Sequence, residues 1–324
     1  MGLADPIPVI RSIVSPDALL DRVVQSYAIA PAVDCRLLKR GLNDTYLLTT
    51  QSGPYVVRVY RAWRSGEEIQ YELDLLRHLS CRGVAVSVPI AAHGDRLALP
   101  ITAPEGIRYL ALFTYADGSR ASWTDSENAY RMGSAAAAIH AASDDFTSTS
   151  SRTPLDLGYL IDAPLAAIRP FFANRPADWA YLEQFGGRLK NLAMRFVAEG
   201  LDWGVCHGDF GPKNIHRGSD GRLTTFDFDL CGPGWRAFDL GLMQWVAKDH
   251  KDEALWEAFL TGYAEIRPLS AADFASVPVF HAAAHLSSLG LFAENIGDWG
   301  AADMNDWLFD RELEFFRAWE AEHA

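Results

Sequence analysis

The chain has 324 residues, 49% of them apolar, and carries 42 acidic against 29 basic side chains, a net charge of −13. This length allows one large domain or two lobes, and the acidic balance argues against nucleic acid as a partner. No uninterrupted apolar run is long enough to span a bilayer, the N-terminus lacks a secretory pattern, and the four cysteines show neither close pairing nor metal-ligand spacing. We therefore expect a cytoplasmic protein with reduced thiols and no membrane partner.

The first third of the chain is predicted to be rich in β-strands. A short helix begins at Pro16, preceded by Ser15 as a cap. An amphipathic helix over residues 67–79 places Leu73 and Leu76 on one apolar stripe. Strands separated by turn-forming sequences are predicted at residues 35–40, 45–50, 55–60, 96–100 and 108–113.

The rest of the chain is predicted to be mainly helical. A capping box at residues 124–127 opens one helix, and the small residues at 133–138 suit close packing. We interpret His140 on this helix as a core or cap histidine. The segment 143–153, rich in Ser, Thr and Asp, is predicted to be mobile. Further helices are predicted at residues 177–196, 254–266, 272–292 and 305–320.

Three polar residues follow two short predicted strands within this helical region. Asp209 and Asn214 lie just after an apolar strand at 201–206, and Asp227 comes directly after a second strand at 223–226. The strands and the turn between them would bring the three side chains together. ATP-dependent phosphoryl transfer requires such a set, because one carboxylate orients the attacking hydroxyl while an Asn and a second Asp hold Mg²⁺ against the triphosphate.

This pattern resembles that of a known family of kinases. His207-Gly208-Asp209, followed by Asn214 and by Phe226-Asp227-Phe228-Asp229, is similar to the aminoglycoside phosphotransferase and choline kinase family, with homoserine kinase type II and bacterial stress-response kinases as relatives. Residues 234–240 resemble the helix start that follows in this family, with its buried Asp at position 239. The resemblance implies an α+β, two-lobed protein-kinase-like fold, with an N-lobe at residues 1–115 and a helical C-lobe at residues 116–324.

The resemblance also implies roles for the polar residues of the motif. Asp209 is the expected catalytic base, and Asn214 and Asp227 are the expected ligands of Mg²⁺, with ATP as the phosphoryl donor. His207 is expected to brace the loop. Lys213 is interpreted as an exposed loop lysine, with contact to a phosphate as the alternative.

Nucleotide contacts are implied at both ends of the predicted sheet. Gly41 and Asn43 would form the loop over the phosphates, although a single glycine makes this motif weak and an ordinary hairpin turn is the alternative. The backbone of Phe113 and Tyr115 would contact adenine from the connector between the lobes.

A charge pair is implied in the same lobe. Arg58 occupies the strand position where most kinases carry a Lys that reaches the α- and β-phosphates, and a surface Arg is the alternative. Glu72 is expected to pair with Arg58, and Glu68 is its rival one turn earlier on the same helix.

The preferred function is therefore an ATP-dependent kinase that phosphorylates a hydroxyl of a small molecule, such as an amino alcohol, amino acid or sugar. A Ser/Thr protein kinase is the first alternative, but the dozen residues from Asp227 to Asp239 leave little room for a peptide platform. A non-catalytic pseudokinase is the second, although it would not need Asp209, Asn214 and Asp227 together. A metal-dependent hydrolase is weaker, because it would require more histidine ligands. The acceptor and the oligomeric state are not predicted.

Overall fold

The structure is a computed structural model that describes residues 7–323. Its helices are α1 (Pro16–Ser26), α2 (Gly66–Cys81), α3 (Ser126–Ala142), α4 (Ala163–Ile168), α5 (Pro176–Ala198), α6 (Ala237–His250), α7 (Glu253–Ala264), α8 (Ala271–Glu294), α9 (Ile296–Trp299) and α10 (Asp306–His323). Its strands are β1 (Ala32–Arg40), β2 (Asp44–Thr50), β3 (Gly53–Val59), β4 (Pro89–Ile90), β5 (Leu99–Ala103), β6 (Gly106–Thr114), β7 (Ser119–Arg120), β8 (Trp203–Cys206), β9 (Ile215–Arg217), β10 (Leu223–Thr225) and β11 (Gly232–Trp235).

The chain divides into two compact units. Unit 1 contains the chain up to Ser119 together with Phe146–Arg152 and His216–Phe226, and unit 2 contains the other segments. Unit 1 carries the largest sheet, whereas unit 2 carries most of the helices. The predicted α+β fold class, with a β-rich N-terminal region and a helical C-terminal region, is confirmed.

The sheet of unit 1 is antiparallel, with strands in the order β1-β2-β3-β6-β4 and with β5 paired to β6. Leu19 and Val23 of α1 join the apolar side chains of this sheet in one core, and burial of each contributes about 1.5–3 kcal/mol. The predicted strand at 96–100 lies instead at 99–103, because the chain first turns through Gly94 and Asp95 at positive φ values of 79° and 58°.

Helix α2 begins with a complete capping box. The Ser65 side chain accepts the Glu68 backbone N–H, and the Glu68 carboxylate accepts the Ser65 N–H. Its apolar stripe is buried as predicted, with Leu73 fully buried and Leu76 at 2% exposure. The predicted helix at 67–79 is therefore confirmed, with a start one residue earlier and an end two residues later.

In unit 2, two glycines allow α3 and α7 to approach each other closely. A Cβ added at Gly133 would lie 1.9 Å from the carbonyl oxygen of Phe259, and one at Gly262 would lie 2.0 Å from that of Tyr130. The predicted close packing of α3 is confirmed. Its N-cap differs from the prediction, because Asp125 accepts the Asn128 N–H and the box expected at residues 124–127 does not form.

Helix α8 forms the centre of the helical unit. It is long and apolar enough to cross a membrane by length and composition, but 67% of its most apolar stretch is buried inside the protein, as expected of a core helix. Two histidines one turn apart, His281 and His285, lie within this buried surface, and His285 Nδ1 is 2.7 Å from Glu312 Oε2 on α10. Burial, with smaller contributions from His285, Lys248 and His323, lowers the pKa of His281 to about 3.

The buried His281 predicts acid sensitivity of the fold. In the unfolded chain His281 binds a proton below its ordinary pKa of 6.5, whereas in the folded protein it stays neutral down to about pH 3. Because the unfolded state then holds the extra proton, stability falls as the pH drops through this window, by up to about 1.4 kcal/mol per pH unit. Urea unfolding of His281→Asn between pH 6.5 and 4.5 should therefore show a shallower pH dependence than the parent protein. Replacement of the exposed His250 by Asn is the matched control, and an unchanged slope in His281→Asn would contradict the assignment.

Candidate active site

The loop after β8 holds three polar side chains in direct contact. The Asn214 amide nitrogen lies 2.9 Å from both the backbone oxygen and Oδ2 of Asp209, and Lys213 Nζ lies 2.8 Å from Asp209 Oδ1. Each carboxylate oxygen of Asp209 thus has one protein donor, and a carboxylate can accept about four hydrogen bonds. The loop therefore orients Asp209 while leaving it able to accept a further hydroxyl. Lys213, expected as a simple exposed lysine, is half exposed but paired with this carboxylate.

A buried carboxylate on α6 fixes the backbone of the same loop. Asp239, 1% exposed, accepts the backbone N–H of His207 at 2.7 Å and that of Gly208 at 2.9 Å. Gly208 has φ 79°, and a Cβ there would lie 2.1 Å from the carbonyl oxygen of Leu230, so both conformation and space require glycine. The predicted role of Asp239 as a buried anchor is confirmed.

Asp239 is held in turn by His140 of α3. His140 Nε2 lies 2.9 Å from Asp239 Oδ2, and its Nδ1 lies 2.8 Å from the hydroxyl of Tyr263. Burial lowers the pKa of His140 despite the nearby carboxylate. Burial alone would raise the pKa of Asp239, but hydrogen bonds from His140 and His207 bring it below its ordinary value. We therefore assign a neutral imidazole that donates from Nε2 to ionised Asp239 and accepts the Tyr263 hydroxyl at Nδ1.

The Asp227-Phe228-Asp229 segment lies at the same end of the β8–β11 ladder as the loop that carries Asp209. These strands pair antiparallel from Cys206 opposite Gly232, so the residues that follow β8 and those that precede β11 are neighbours. The rings of His207 and Phe228 are 4.3 Å apart, and His207 Nδ1 accepts the Asp209 N–H at 3.2 Å. His207 thus braces the loop, as predicted. Asp227, next to Phe228, has a left-handed backbone with φ 66°, a strained conformation that is common at functional sites.

In unit 1, the predicted charge pair is present and buried. Arg58 Nη1 lies 2.8 Å from Glu72 Oε1, and the Tyr60 hydroxyl donates to Glu72 Oε2 at 3.1 Å. Glu72 is fully buried and Arg58 is 8% exposed, with its guanidinium 5.4 Å from the centre of the Phe113 ring. A surface position for Arg58 is therefore excluded. Glu68 is occupied by its own capping box and by Arg64, which removes it as the rival.

The Gly41–Asn43 loop is a tight turn held by arginines. The Gly41 carbonyl accepts from Arg11 at 2.8 Å and from Arg61 at 3.0 Å, and Asn43 Oδ1 accepts the Arg61 N–H at 3.3 Å. A Cβ added at Gly41 would meet only ordinary contacts, the nearest 3.5 Å away on Lys39. Internal packing therefore does not explain a glycine here. The Asn43 side chain is already hydrogen-bonded to the backbone of Arg61.

At the start of the connector that follows β6, the backbone N–H and carbonyl of Thr114 are already hydrogen-bonded within the protein. Thr114 donates its N–H to Val88 at 2.9 Å, and its carbonyl accepts the hydroxyl of Ser87. Phe113 and Tyr115 flank this position, Phe113 buried and Tyr115 half-buried. Their contact with adenine stays a prediction, as do the nucleotide roles of Gly41, Asn43, Arg58 and Glu72.

Sequence reasoning missed several parts of this arrangement. Nothing in the pattern linked His140 to Asp239, because 99 residues separate them and a histidine in a helix of small residues reads as a core residue. The Tyr60 hydroxyl and the Lys213 ammonium were also missed as partners of the two carboxylates. Within residues 7–323, no three His, Cys, Asp or Glu side chains are grouped so as to hold a metal ion.

Comparison with known proteins defines the class. The sequence model of the phosphotransferase enzyme family matches residues 34–273. An uncharacterised protein of Deinococcus radiodurans is 37% identical over 98% of this chain and 93% of its own length. A homoserine kinase of Neisseria meningitidis serogroup B is 29% identical over 79% of this chain and 81% of its own length.

Solved structures have the same fold. A microcompartment-associated aminopropanol kinase aligns with a TM-score of 0.72 at 22% identity, over 94% of this chain and 95% of that one. An amicoumacin kinase in complex with AMP-PNP, Ca²⁺ and Ami aligns with a TM-score of 0.72 at 19% identity, over 94% of this chain and 93% of that one. The fold is thus that of protein-kinase-like phosphotransferases. The chain belongs to the phosphotransferase enzyme family, and the protein is a phosphotransferase.

The His140–Asp239 contact can be tested through stability. His140→Phe removes the neutral donor of a buried carboxylate and leaves the Tyr263 hydroxyl without its acceptor, so the free energy of unfolding should fall by about 2–5 kcal/mol. Tyr263→Phe removes only one neutral hydrogen bond and should cost about 1 kcal/mol. Urea unfolding at pH 7 measures both. If His140→Phe costs no more than Tyr263→Phe, the imidazole does not support Asp239.

Proposed function

We propose that the protein transfers the γ-phosphoryl group of ATP to a hydroxyl of a small molecule. The observation that carries this proposal is the geometry of the loop after β8, where Asn214 and Lys213 orient the Asp209 carboxylate and Asp239 fixes the backbone beneath it. Phosphoryl transfer has a loose transition state, so alignment of the attacking hydroxyl and electrostatic stabilisation supply most of the catalysis. Asp209 aligns the hydroxyl and receives its proton late in the reaction.

The residues proposed to hold Mg²⁺ fit a hard cation. The Asn214 amide nitrogen is bound to Asp209, so the amide oxygen faces away from that carboxylate and can serve as a neutral ligand, with Asp227 as the charged one. Mg²⁺ is commonly held by one or two carboxylates together with substrate phosphates, and such a sparse protein donor set agrees with the absence of a three-residue cluster among residues 7–323. When bound, Mg²⁺ neutralises charge on the phosphates.

Unit 1 is proposed to bind the nucleotide, within the N-lobe of residues 1–115. Arg58, oriented by Glu72, would donate to the phosphates in place of the usual lysine, and its planar group can bind them in bidentate fashion. Gly41, which internal packing does not require, would let the backbone approach the phosphates, with Asn43 completing that turn. Phe113 and Tyr115 would contact adenine through their backbone.

A small acceptor is favoured over a peptide. Between Asp227 and Asp239 the chain forms β11 and enters α6, so no segment remains to present a peptide platform. Homoserine and aminopropanol, which appear in the names of a relative and of a structural neighbour, are amino-bearing alcohols, and the net charge of −13 suits a cationic acceptor. We propose an amino alcohol or a hydroxylated amino acid as the acceptor and the cytoplasm as the location.

The proposal is tested by Mg²⁺-dependent ADP release with pooled acceptors: homoserine, aminopropanol, choline, ethanolamine, aminoglycosides, sugars and a Ser/Thr peptide. One pool should raise turnover above the rate without acceptor. Asp209→Asn should lower that turnover by at least about 100-fold, the contribution typical of a positioned base, while ATP binding is retained. Asp249→Asn on the exposed end of α6 is the matched control. Turnover of Asp209→Asn within about tenfold of the parent would show that Asp209 is not the base.

Arg58 variants test the nucleotide site separately. Arg58→Ala should raise the KM for ATP at least about tenfold, as expected for loss of a charged phosphate contact, with little change in the KM for the acceptor. It also leaves Glu72 buried without its cation, so the variant should lose about 3–5 kcal/mol of stability. Arg58→Lys keeps a charge beside Glu72 and should retain folding and measurable activity. Arg131→Ala, which removes an exposed ion pair with Glu127, is the control, and a KM for ATP unaffected by either Arg58 variant would argue against phosphate contact.

A further inference from the structure

The segment Phe146–Arg152 lies along helix α2, the helix that carries Glu72. It has no regular secondary structure, and it belongs to unit 1 although the chain on both sides belongs to unit 2. Its Ser/Thr-rich sequence predicts mobility, but the structure packs it against one face of α2. We call this segment the α2 strap.

The contacts of the α2 strap follow a single stripe of the helix. They reach positions 67, 71, 74 and 78, whose spacing of four, three and four residues places them on one face. Glu72 lies on a different face of the helix, turned toward Arg58. The strap therefore contacts a face of α2 other than the one that carries Glu72.

Phe146 packs the C-terminal half of this stripe. Its ring lies 5.3 Å from that of Tyr71 at 85° and 5.4 Å from that of His78 at 62°, which are edge-to-face arrangements that aromatic rings prefer. Tyr71 is 7% exposed and directly precedes Glu72. Loss of the Phe146 ring would remove packing from the residue next to the buried carboxylate.

Polar contacts connect the α2 strap to the middle and to the first turn of helix α2. The Ser148 hydroxyl donates to Asp74 Oδ2 at 2.8 Å, while Gln70 binds the other oxygen of the same carboxylate at 2.7 Å. Arg152 Nη1 donates to the backbone oxygen of Glu68 at 3.0 Å. In a regular α-helix that oxygen also accepts the N–H of the residue four positions later, which here is Glu72. Arg152 therefore binds the turn of α2 that carries Glu72.

The chain on either side of the α2 strap is fixed. Asp144 pairs with Arg236 at 2.7 Å and with Arg267 at 2.8 Å, and the Leu155 N–H donates to Pro233 at 2.7 Å. These contacts hold the flanking residues within unit 2, whereas the strap itself makes its contacts with α2 within unit 1.

We propose that Phe146 and Arg152 are positioning residues for nucleotide binding, which act by holding α2 so that Glu72 orients Arg58. The inference rests on the proposed function of Arg58 as a phosphate ligand. Arg58 lies in β3 and Tyr60 directly follows it, so the position of the Glu72 carboxylate relative to these two partners depends on the placement of α2. A small displacement of α2 would turn the guanidinium away from the geometry required for a phosphate contact.

The test measures MgATP affinity and α2 amide exchange on the full chain. Arg152→Ala and Phe146→Ala should each weaken MgATP binding about five- to tenfold, a typical size for coupling between contacting groups, with the KM for the acceptor unchanged. Arg152→Lys, which can still donate to the Glu68 carbonyl, should restore affinity. The matched controls are Arg131→Ala and Phe274→Ala, which truncate exposed side chains of unit 2 and should leave MgATP binding unchanged.

A double-variant cycle separates positioning from general stability. Glu72→Gln keeps the size of the side chain but weakens its hold on Arg58, so Arg152→Ala should add almost no further loss of MgATP affinity in that background. Additive losses would overturn the proposal, because the strap would then act by another route.

Amide hydrogen exchange distinguishes the possible failures. Faster exchange of α2 in Arg152→Ala, together with weaker MgATP binding, supports the proposal. Unchanged α2 exchange means that the strap does not hold the helix, and faster exchange with unchanged MgATP affinity means that it holds the helix without positioning Arg58; either result overturns the proposal. If the parent protein binds no MgATP, the proposed function itself fails and the positioning role falls with it, whereas the α2 exchange still reports whether the strap holds the helix.

Discussion

The loop after β8, which carries the proposed base, depends on one buried carboxylate, that of Asp239. A charge with 1% exposure is costly unless hydrogen bonds replace the lost water, and Asp239 receives them from His140 and from the backbone N–H groups of His207 and Gly208. These two N–H groups belong to the residues that directly precede Asp209. Two of the three bonds that stabilise the Asp239 carboxylate therefore also fix the backbone that precedes the proposed base.

Unit 1 uses a second buried carboxylate in a comparable way. Glu72 is fully buried, and its two oxygens accept from Arg58 and from Tyr60. The difference is in what is held: Asp239 binds backbone and makes a loop rigid, whereas Glu72 binds a side chain and sets the direction of a guanidinium. A backbone anchor suits a base whose position must not vary. A side-chain anchor makes the direction of the Arg58 guanidinium depend on the placement of α2, and we propose that the contacts of the α2 strap set this placement.

The sequence was informative wherever the signal was local. The grouping of Asp209 with Asn214 and the stripe of α2 could be predicted, because spacing along a tight loop or helix determines which side chains are close. The pairing of Arg58 with Glu72 and the α+β, two-lobed fold were instead implied by the resemblance to a kinase family. The first turn of α3 shows the limit of local reasoning, since two neighbouring residues could cap it and the backbone conformation selected Asp125.

Contacts between distant segments could not be predicted in this way. His140 reaches Asp239 across 99 residues, and the α2 strap binds a helix more than 60 residues earlier in the chain. A Ser/Thr-rich composition indicates mobility because such residues bury little apolar surface, but composition does not reveal single contacts such as the one between Arg152 and the backbone carbonyl of Glu68.

The same division explains why the reaction is easier to predict than the acceptor. The groups proposed to act on the phosphates are few, chemically distinctive and held by short-range geometry. Their pattern can therefore be recognised in a single sequence. Selection of an acceptor depends on the shape and polarity of a surface assembled from side chains that are individually common, such as the aromatic and acidic residues of the C-terminal helices.

Two histidines in that region illustrate the difficulty. His281 and His285 lie one turn apart on α8, yet both are more than nine-tenths buried. The His285 ring stacks on the rings of Trp245 and Phe315, at centroid distances of 3.7 and 3.6 Å. Their burial makes them part of the helical core, and the lowered pKa of His281 makes that residue a source of acid sensitivity. Residue type and spacing alone do not distinguish such a core role from substrate binding.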